Sequence, residues 1–252
     1  MDYELKGKVA LVTGAARDTG REIALALGAE GATVAINYLH SQKDAEETLA
    51  QIKARGGNGK LYKADVTDFA AVKGMVEAIA KDHGRLDILV NNAGYVQRQR
   101  FTDTTPEDWK KQIDVGLYSV IHCCHAAVPH IAKQSGGRII NLVGDSARVG
   151  ESGLAITAAS RGGVLALTKS LAKELGRNWI TVNAVSLGLV VTSHSDPKWL
   201  EANMDKIIRN YPLRRLGKAQ DVSTLVAYLA SEGASWITGQ VVSVSGGFST
   251  VG

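Results

Sequence analysis

Thr13-Gly14-Ala15-Ala16-Arg17-Asp18-Thr19-Gly20 joins a short apolar run to a longer amphipathic one, so it sits where a strand hands over to a helix. At such a junction the first backbone N–H groups of the helix, aided by its dipole, receive phosphate. Glycines at the turn let the backbone pass close beneath a pyrophosphate. Asp18 stands within this turn, between Gly14 and Gly20. It adds a Cβ where close approach is wanted and a negative charge beside a dianionic ligand. At about 4 Å, like charges cost roughly 1 kcal/mol in water and about 4 kcal/mol at an effective dielectric of 20.

A second group of polar residues follows the middle of the chain. Asp145, Arg148 and Glu151 lie in one expected loop, and Tyr95, Arg98 and Arg100 follow Asn91-Asn92-Ala93-Gly94 in another. A buried carboxylate such as Asp145 would serve as an acid or base in a non-redox reaction; charge on a surface loop is the plainer expectation. No nucleophile, base and orienting group are recognisable as a set. His122 and His125 are spaced three apart on a helix, with His130 nearby. Without a third convergent ligand they read as packing residues, and no metal is expected. Cys123 and Cys124 point about 100° apart on a helix and read as small core or interface residues.

The elements that must position these groups alternate: short β-branched runs, then longer amphipathic segments. That alternation predicts a parallel sheet with helices on both faces. Seven strands are expected near residues 8–13, 33–37, 59–63, 86–90, 137–142, 181–185 and 241–244. Helices are expected near 21–30, 43–55, 69–83, 106–133, 157–175, 197–210 and 219–231. Right-handed crossovers make this a Rossmann-like, doubly wound α/β sheet of seven parallel strands in a single domain spanning 1–252.

With 252 residues, 45% of them hydrophobic, the chain is long enough to bury a sizeable core. The net charge of +4 comes from scattered Lys and Arg rather than from a basic stripe, which argues against nucleic acid as a partner. Two adjacent cysteines cannot build a disulfide framework, which favours a reducing compartment. No apolar run reaches membrane-spanning length and no signal-like leader is recognisable, so no membrane association and a cytoplasmic location are expected.

The run Gly136-Gly137-Arg138-Ile139-Ile140-Asn141, followed by Ala158-Ala159-Ser160-Arg161-Gly162-Gly163-Val164, resembles the short-chain dehydrogenase/reductase family. The likeness runs on through Tyr211-Pro212-Leu213-Arg214-Arg215-Leu216-Gly217, Ile237-Thr238-Gly239-Gln240-Val241 and Ser245-Gly246-Gly247-Phe248. It implies cofactor contacts from Gly14, Arg17, Gly20, Asp65, Val66, Asn91, Ala93, Gly94 and Thr192, with Thr192 meeting the nicotinamide amide. Leu187-Gly188 stands where the family has Pro-Gly. No acidic residue in Ile36-Asn37-Tyr38 is placed to pair with a ribose 2′-hydroxyl, and Arg17 suits a 2′-phosphate, which favours NADP over NAD.

The resemblance also implies a Ser-Tyr-Lys-Asn tetrad, and this chain departs from it at every position. Gly116 stands at the Asn, Gly144 at the Ser, Thr157 at the Tyr and Arg161 at the Lys, and no tyrosine occurs between Tyr118 and Tyr211. An aliphatic hydroxyl lies near water's pKa of about 15.7, against about 10 for tyrosine. At about 1.36 kcal/mol per unit, that gap is roughly 8 kcal/mol of lost acidity. Ser146 is a two-residue slip away from the missing serine, and loop hydrogen bonding is its plainer role.

These departures lead to the expectation of a non-catalytic subunit, with no catalytic residue and no resident cofactor. It would assemble with an active paralogue in a heterotetrameric hydroxyacyl-CoA type dehydrogenase, or alternatively form a homotetramer. The small and apolar faces of the two longest helices (Ala126, Ala127, Ile131; Ala159, Val164, Leu167, Leu171) are the expected interface. The other reading is a repurposed enzyme catalysing dehydration, isomerisation or cyclisation, with Asp145 or Glu151 as acid or base. A nucleotide sensor is a third.

Overall fold

Seven runs rich in β-branched residues pair side by side, all parallel, in the order β3-β2-β1-β4-β5-β6-β7. The computed structural model describes residues 3–134, 136–193 and 195–251. The strands are β1 (Val9–Val12), β2 (Thr33–Tyr38), β3 (Asn58–Lys63), β4 (Ile88–Asn91), β5 (Gly137–Gly144), β6 (Ile180–Leu187) and β7 (Val241–Val244). Every residue of β1 and β4 is buried, as expected for strands covered on both faces.

The chain order reverses beside β1, which pairs with β2 on one side and β4 on the other. Such a reversal leaves a crevice at the C-terminal ends of the strands, where open α/β sheets bind ligands.

Two apolar layers enclose the sheet. One packs Ile23, Ala24 and Leu27 of α1 (Asp18–Ala29) with Ile52 of α2 (Gln42–Ala54) and Val222 and Val226 of α9 (Ala219–Ala230). The other packs Val72, Val76 and Ile79 of α3 (Phe69–His83) with Cys123, Ala127 and Ile131 of α5 (Ser119–Ile131) and Val164 of α7 (Ala155–Leu175). The bounds of α3 match the sequence expectation because both stops are explicit. Asp68 accepts from the N–H groups of Ala70 and Ala71, and Gly84 takes a left-handed φ of 73°.

The expected helix over 106–133 is in fact interrupted. α4 (Pro106–Ile113) gives way to a π-helical turn at Asp114–Tyr118 before α5 begins. Its apolar period runs on through the bulge, so pattern alone does not reveal the extra residue. Gly116 lies in this turn, and a Cβ there would overlap the buried Ser160 hydroxyl of α7. The turn and α7 pack together because position 116 lacks a side chain.

A further short helix, α6 (Ser146–Val149), forms where a plain loop was expected, and α8 (Pro197–Ile208) follows β6. The interface faces read from sequence also need correction. Ala127, Ile131 and Val164 are buried inside the subunit core, so they do not form an outer surface.

Candidate functional site

The phosphate turn is held open from two sides. Gly14 has φ 62°, and its N–H donates to Asn37 Oδ1 at 3.2 Å. Asn37, buried at the end of β2, uses its amide to donate to the carbonyls of Tyr62 and Ala64. From the β4 side, Asn92 donates to the carbonyls of Thr13 and Gly14, while the N–H groups of Asn92 and Ala93 donate to Thr13 Oγ1 at 3.0 Å each. A Cβ on Gly20 would overlap the Gly14 carbonyl, so only glycine permits this approach. Arg17 at the start of α1 supplies no side-chain cap, leaving the first turn open to an anion. Arg21 turns away from the crevice and braces the Ala16 carbonyl and Thr48.

Asp18 does not face the ligand as expected. Its carboxylate accepts from the Ser193 N–H and Oγ, both at 2.7 Å, and Arg17 Nε lies 3.8 Å away. Its charge is directed to those donors, which weakens the argument that it repels a dinucleotide.

The other cofactor candidates divide. Ala93, with Gly94 after it, follows β4 against the Gly14 turn, its Cα 3.1 Å from a Cβ built on Gly14, and Thr192 precedes the Ser193 that bonds Asp18. Asn91 is buried against α5, donating to Asn141 Oδ1 at 2.8 Å and to Cys124 Sγ at 3.4 Å, so it joins β4 to β5 instead of touching a ligand. Asp65 Oδ1 is taken by the N–H and hydroxyl of Thr67, and the buried Val66 gives its carbonyl to His122 Nδ1.

Thr157 donates to Gln112 Oε1 of α4 at 2.6 Å, and both residues are buried. Its hydroxyl proton is committed to the protein interior. Arg161 extends beneath the crevice. Its Nη1 donates to the Leu142 carbonyl at 3.0 Å and reaches that of Gly116 at 3.4 Å, while Nη2 reaches the Ala93 carbonyl at 3.5 Å. A Cβ on Gly94 would overlap Nη2. Burial lowers the Arg161 pKa to about 10, so the group remains a cation at neutral pH. It faces carbonyls, with no carboxylate among these contacts.

Ser146 is closer to the missing serine than chain distance suggests. A Cβ built on Gly144 lies 3.4 Å from Ser146 Oγ. Asp145 is a correction. It is buried instead of sitting on a surface loop, and its Oδ1 accepts from Ser186 at 2.5 Å and Ser243 at 3.0 Å. Those bonds tie β5 to β6 and β7. Arg148 donates to the same Ser243 and to the Val251 carbonyl. Glu151 pairs with Arg98, and the Gln99 N–H donates to the Gly153 carbonyl at 2.9 Å, so the two polar loops named from the sequence are joined.

His122 and His125 pack on Phe69, with ring centroids 5.4 and 5.3 Å away. Burial raises both cysteine thiols, Cys124 to about 12. Neither is a thiolate at neutral pH. Gln112 and Ser193 were not singled out from sequence, and Asn37 was noted there only for lacking an acidic group, not as a brace of the turn. The polar Asn37 ending an apolar strand was the available signal; nothing local marked the other two.

The switch-point crevice, the glycine turn and the uncapped α1 define a dinucleotide-binding α/β oxidoreductase fold. The chain belongs to the short-chain dehydrogenase/reductase family: residues 14–249 match the family described as Enoyl-(Acyl carrier protein) reductase. It is 41% identical over 240 residues to the 3-oxoacyl-[acyl-carrier-protein] reductase FabG of Staphylococcus aureus, covering 95% of this chain and 97% of that protein. A 3-oxoacyl-[acyl-carrier-protein] reductase of Synechocystis is 36% identical over 244 residues, covering 96% and 97%. A dehydrogenase/reductase structure from Sinorhizobium meliloti superposes with TM-score 0.93 at 32% identity, covering 99% of this chain and 98% of that one. A blue fluorescent protein from a metagenomic library, in complex with NADPH, superposes with TM-score 0.91 at 31% identity, covering 98% and 99%.

These relatives overturn the expectation of a non-catalytic subunit, since chains this similar over nearly their whole length are named as reductases. The non-redox alternative falls with it, because those same relatives are named as reductases, and Glu151 is paired with Arg98. The expectation of no resident cofactor is likewise unsupported, because a structural neighbour holds NADPH. No described helix is long and apolar enough to cross a membrane.

Proposed function

We propose that this chain is an NADP(H)-dependent reductase acting on the ketone of a 3-oxoacyl thioester. The observation that carries the reading is the braced nucleotide turn, retained in a chain 41% identical over 95% of its length to a reductase. Bound nicotinamide dinucleotide supplies hydride to the carbonyl carbon.

The chain's own residues must hold the reactants and manage charge at the oxygen. The first turn of α1, kept open by Asn37 and Asn92, holds the pyrophosphate. Arg17 meets the 2′-phosphate, and Thr192 the amide. Arg161 replaces the cation of the family's lysine. Fixed by the Leu142 carbonyl, it sets positive charge beneath the crevice, where a developing oxyanion is stabilised without moving protein groups. The Ser146 hydroxyl orients the substrate carbonyl. Because the Thr157 proton is held by Gln112, the proton that completes the alcohol comes from water.

Support for NADP over NAD comes from Asn37, whose side chain is consumed by Gly14, Tyr62 and Ala64, leaving no acidic residue at the end of β2. We also propose a cytoplasmic location, consistent with two buried free thiols, and a tetramer with chains of this family, identical or paralogous.

The test is oxidation of NADPH and NADH by the purified chain with acetoacetyl-CoA as probe. Substrate-dependent NADPH oxidation exceeding that of NADH is expected. No substrate-dependent oxidation of either dinucleotide would overturn the assignment.

A further inference from the structure

Asp18 makes a contact whose geometry exceeds what the turn requires. The residue stands at φ 52°, in the left-handed region that costs a non-glycine residue about 1 kcal/mol or more. Glycine would occupy it freely. Both carboxylate oxygens nevertheless reach Ser193, which is 175 residues away in the chain.

The two partners leave different strands. Asp18 begins α1, which follows β1, and Ser193 lies in the segment after β6. β4 and β5 separate those strands in the sheet, so the contact spans the crevice above Asn92–Gly94 and Gly144. Its far end is itself braced. The Thr192 N–H donates to Ser195 Oγ at 3.0 Å, the Ser195 N–H to the Thr192 carbonyl at 3.0 Å, and the Val191 N–H to the Gly217 carbonyl at 3.1 Å. These bonds hold Val191, Thr192 and Ser195 to their surroundings, and Asp18 tethers Ser193 on the phosphate side.

We propose that Asp18 and Ser193 form a strap across the dinucleotide crevice, which must open for the dinucleotide to enter and which positions Thr192 when closed. This rests on the dinucleotide reading above and adds a gate to it. Asp18 acts here as a positioning residue, through Ser193.

The experiment has two readouts on wild type, D18G, D18N and S193A. Hydrogen exchange of amides 189–193 is measured without dinucleotide, and NADPH association is followed by stopped-flow tryptophan fluorescence. D18G suits the positive φ and is expected to fold. It should reduce amide protection and speed NADPH association by roughly tenfold each, the size of one lost charge-assisted contact. S193A keeps the backbone donor and should give a smaller change of the same sign in both readouts. D18N keeps an acceptor and should lie between wild type and D18G.

Unchanged association in D18G overturns the strap. So does faster association with unaltered protection, which is charge repulsion alone. If neither wild type nor D18G binds NADPH or NADH, the dinucleotide reading fails. Protection measured without cofactor distinguishes that outcome from the strap's own failure.

Discussion

Arg161 is the residue on which the proposed chemistry turns. A buried guanidinium bonded to the carbonyls of Leu142 and Gly116 satisfies those oxygens while keeping its charge. Replacing it with alanine removes the charge-assisted bond to the Leu142 carbonyl, worth roughly 1.5–3 kcal/mol. R161A is therefore expected to lower the melting midpoint and, by removing the oxyanion partner, to reduce kcat about 100-fold or more. R161K, which keeps charge and loses the fork, should recover part of the stability; thermal melts and reductase assays on both variants check this. An R161A protein with wild-type kcat would remove Arg161 from the reaction. Thr157 contrasts with it. Its hydroxyl is bonded to Gln112 at 2.6 Å, so T157V should act on stability, by about 1–3 kcal/mol for the stranded Gln112 acceptor, with kcat little changed; paired melts and assays separate the two effects.

At the scale of elements, the junction of the π-helical turn with α7 depends on a missing side chain. G116N places a Cβ into Ser160 Oγ and should cost roughly 1–3 kcal/mol by overpacking. G116N/S160A should regain part of that loss in a denaturant melt. Helix α9 offers a pH-dependent check. The Arg215 guanidinium, with the Lys218 N–H, lowers the Asp221 carboxyl from 3.8 to about 2. The stabilisation is thus present above pH 3.8 and lost as pH falls through about 2. Because the pair is partly exposed, D221N should cost no more than about 1 kcal/mol at neutral pH, and the difference from wild type should vanish near the acid end. An undiminished difference at low pH would remove Asp221 as its source.

These elements also show what was legible in the sequence. α3 carries its stops locally, in Asp68 and Gly84, and was readable to its ends. The π-helical turn was not, because one inserted residue hardly disturbs an apolar period. Asp145 looked like a loop charge because its partners Ser186 and Ser243 are 41 and 98 residues away. Asn91 was placed on the cofactor by its motif, while its actual partners, Asn141 and Cys124, come from β5 and α5.

For the whole molecule, a parallel sheet with its order reversed beside β1 places the crevice where hydride transfer would occur. The tetrad positions are occupied by residues that do not carry tyrosine's proton, so the proposed reduction relies on positioning and fixed charge. Assembly belongs to this scale. Exposed Ala159 and Ala166 on α7, with Tyr118 at the end of the π-helical turn, are expected to meet a second chain of the family. Native mass spectrometry should give a tetramer, and a monomer at micromolar concentration would contradict that surface. The most direct test of the central claim follows the hydride itself. The purified chain is incubated with NADPH deuterated at the transferable position and acetoacetyl-CoA, and the product is analysed by mass spectrometry. Enzyme-dependent 3-hydroxybutyryl-CoA carrying one deuterium on the new carbinol carbon is the predicted result. Unlabelled substrate recovered in full, from a chain that binds NADPH, would contradict it.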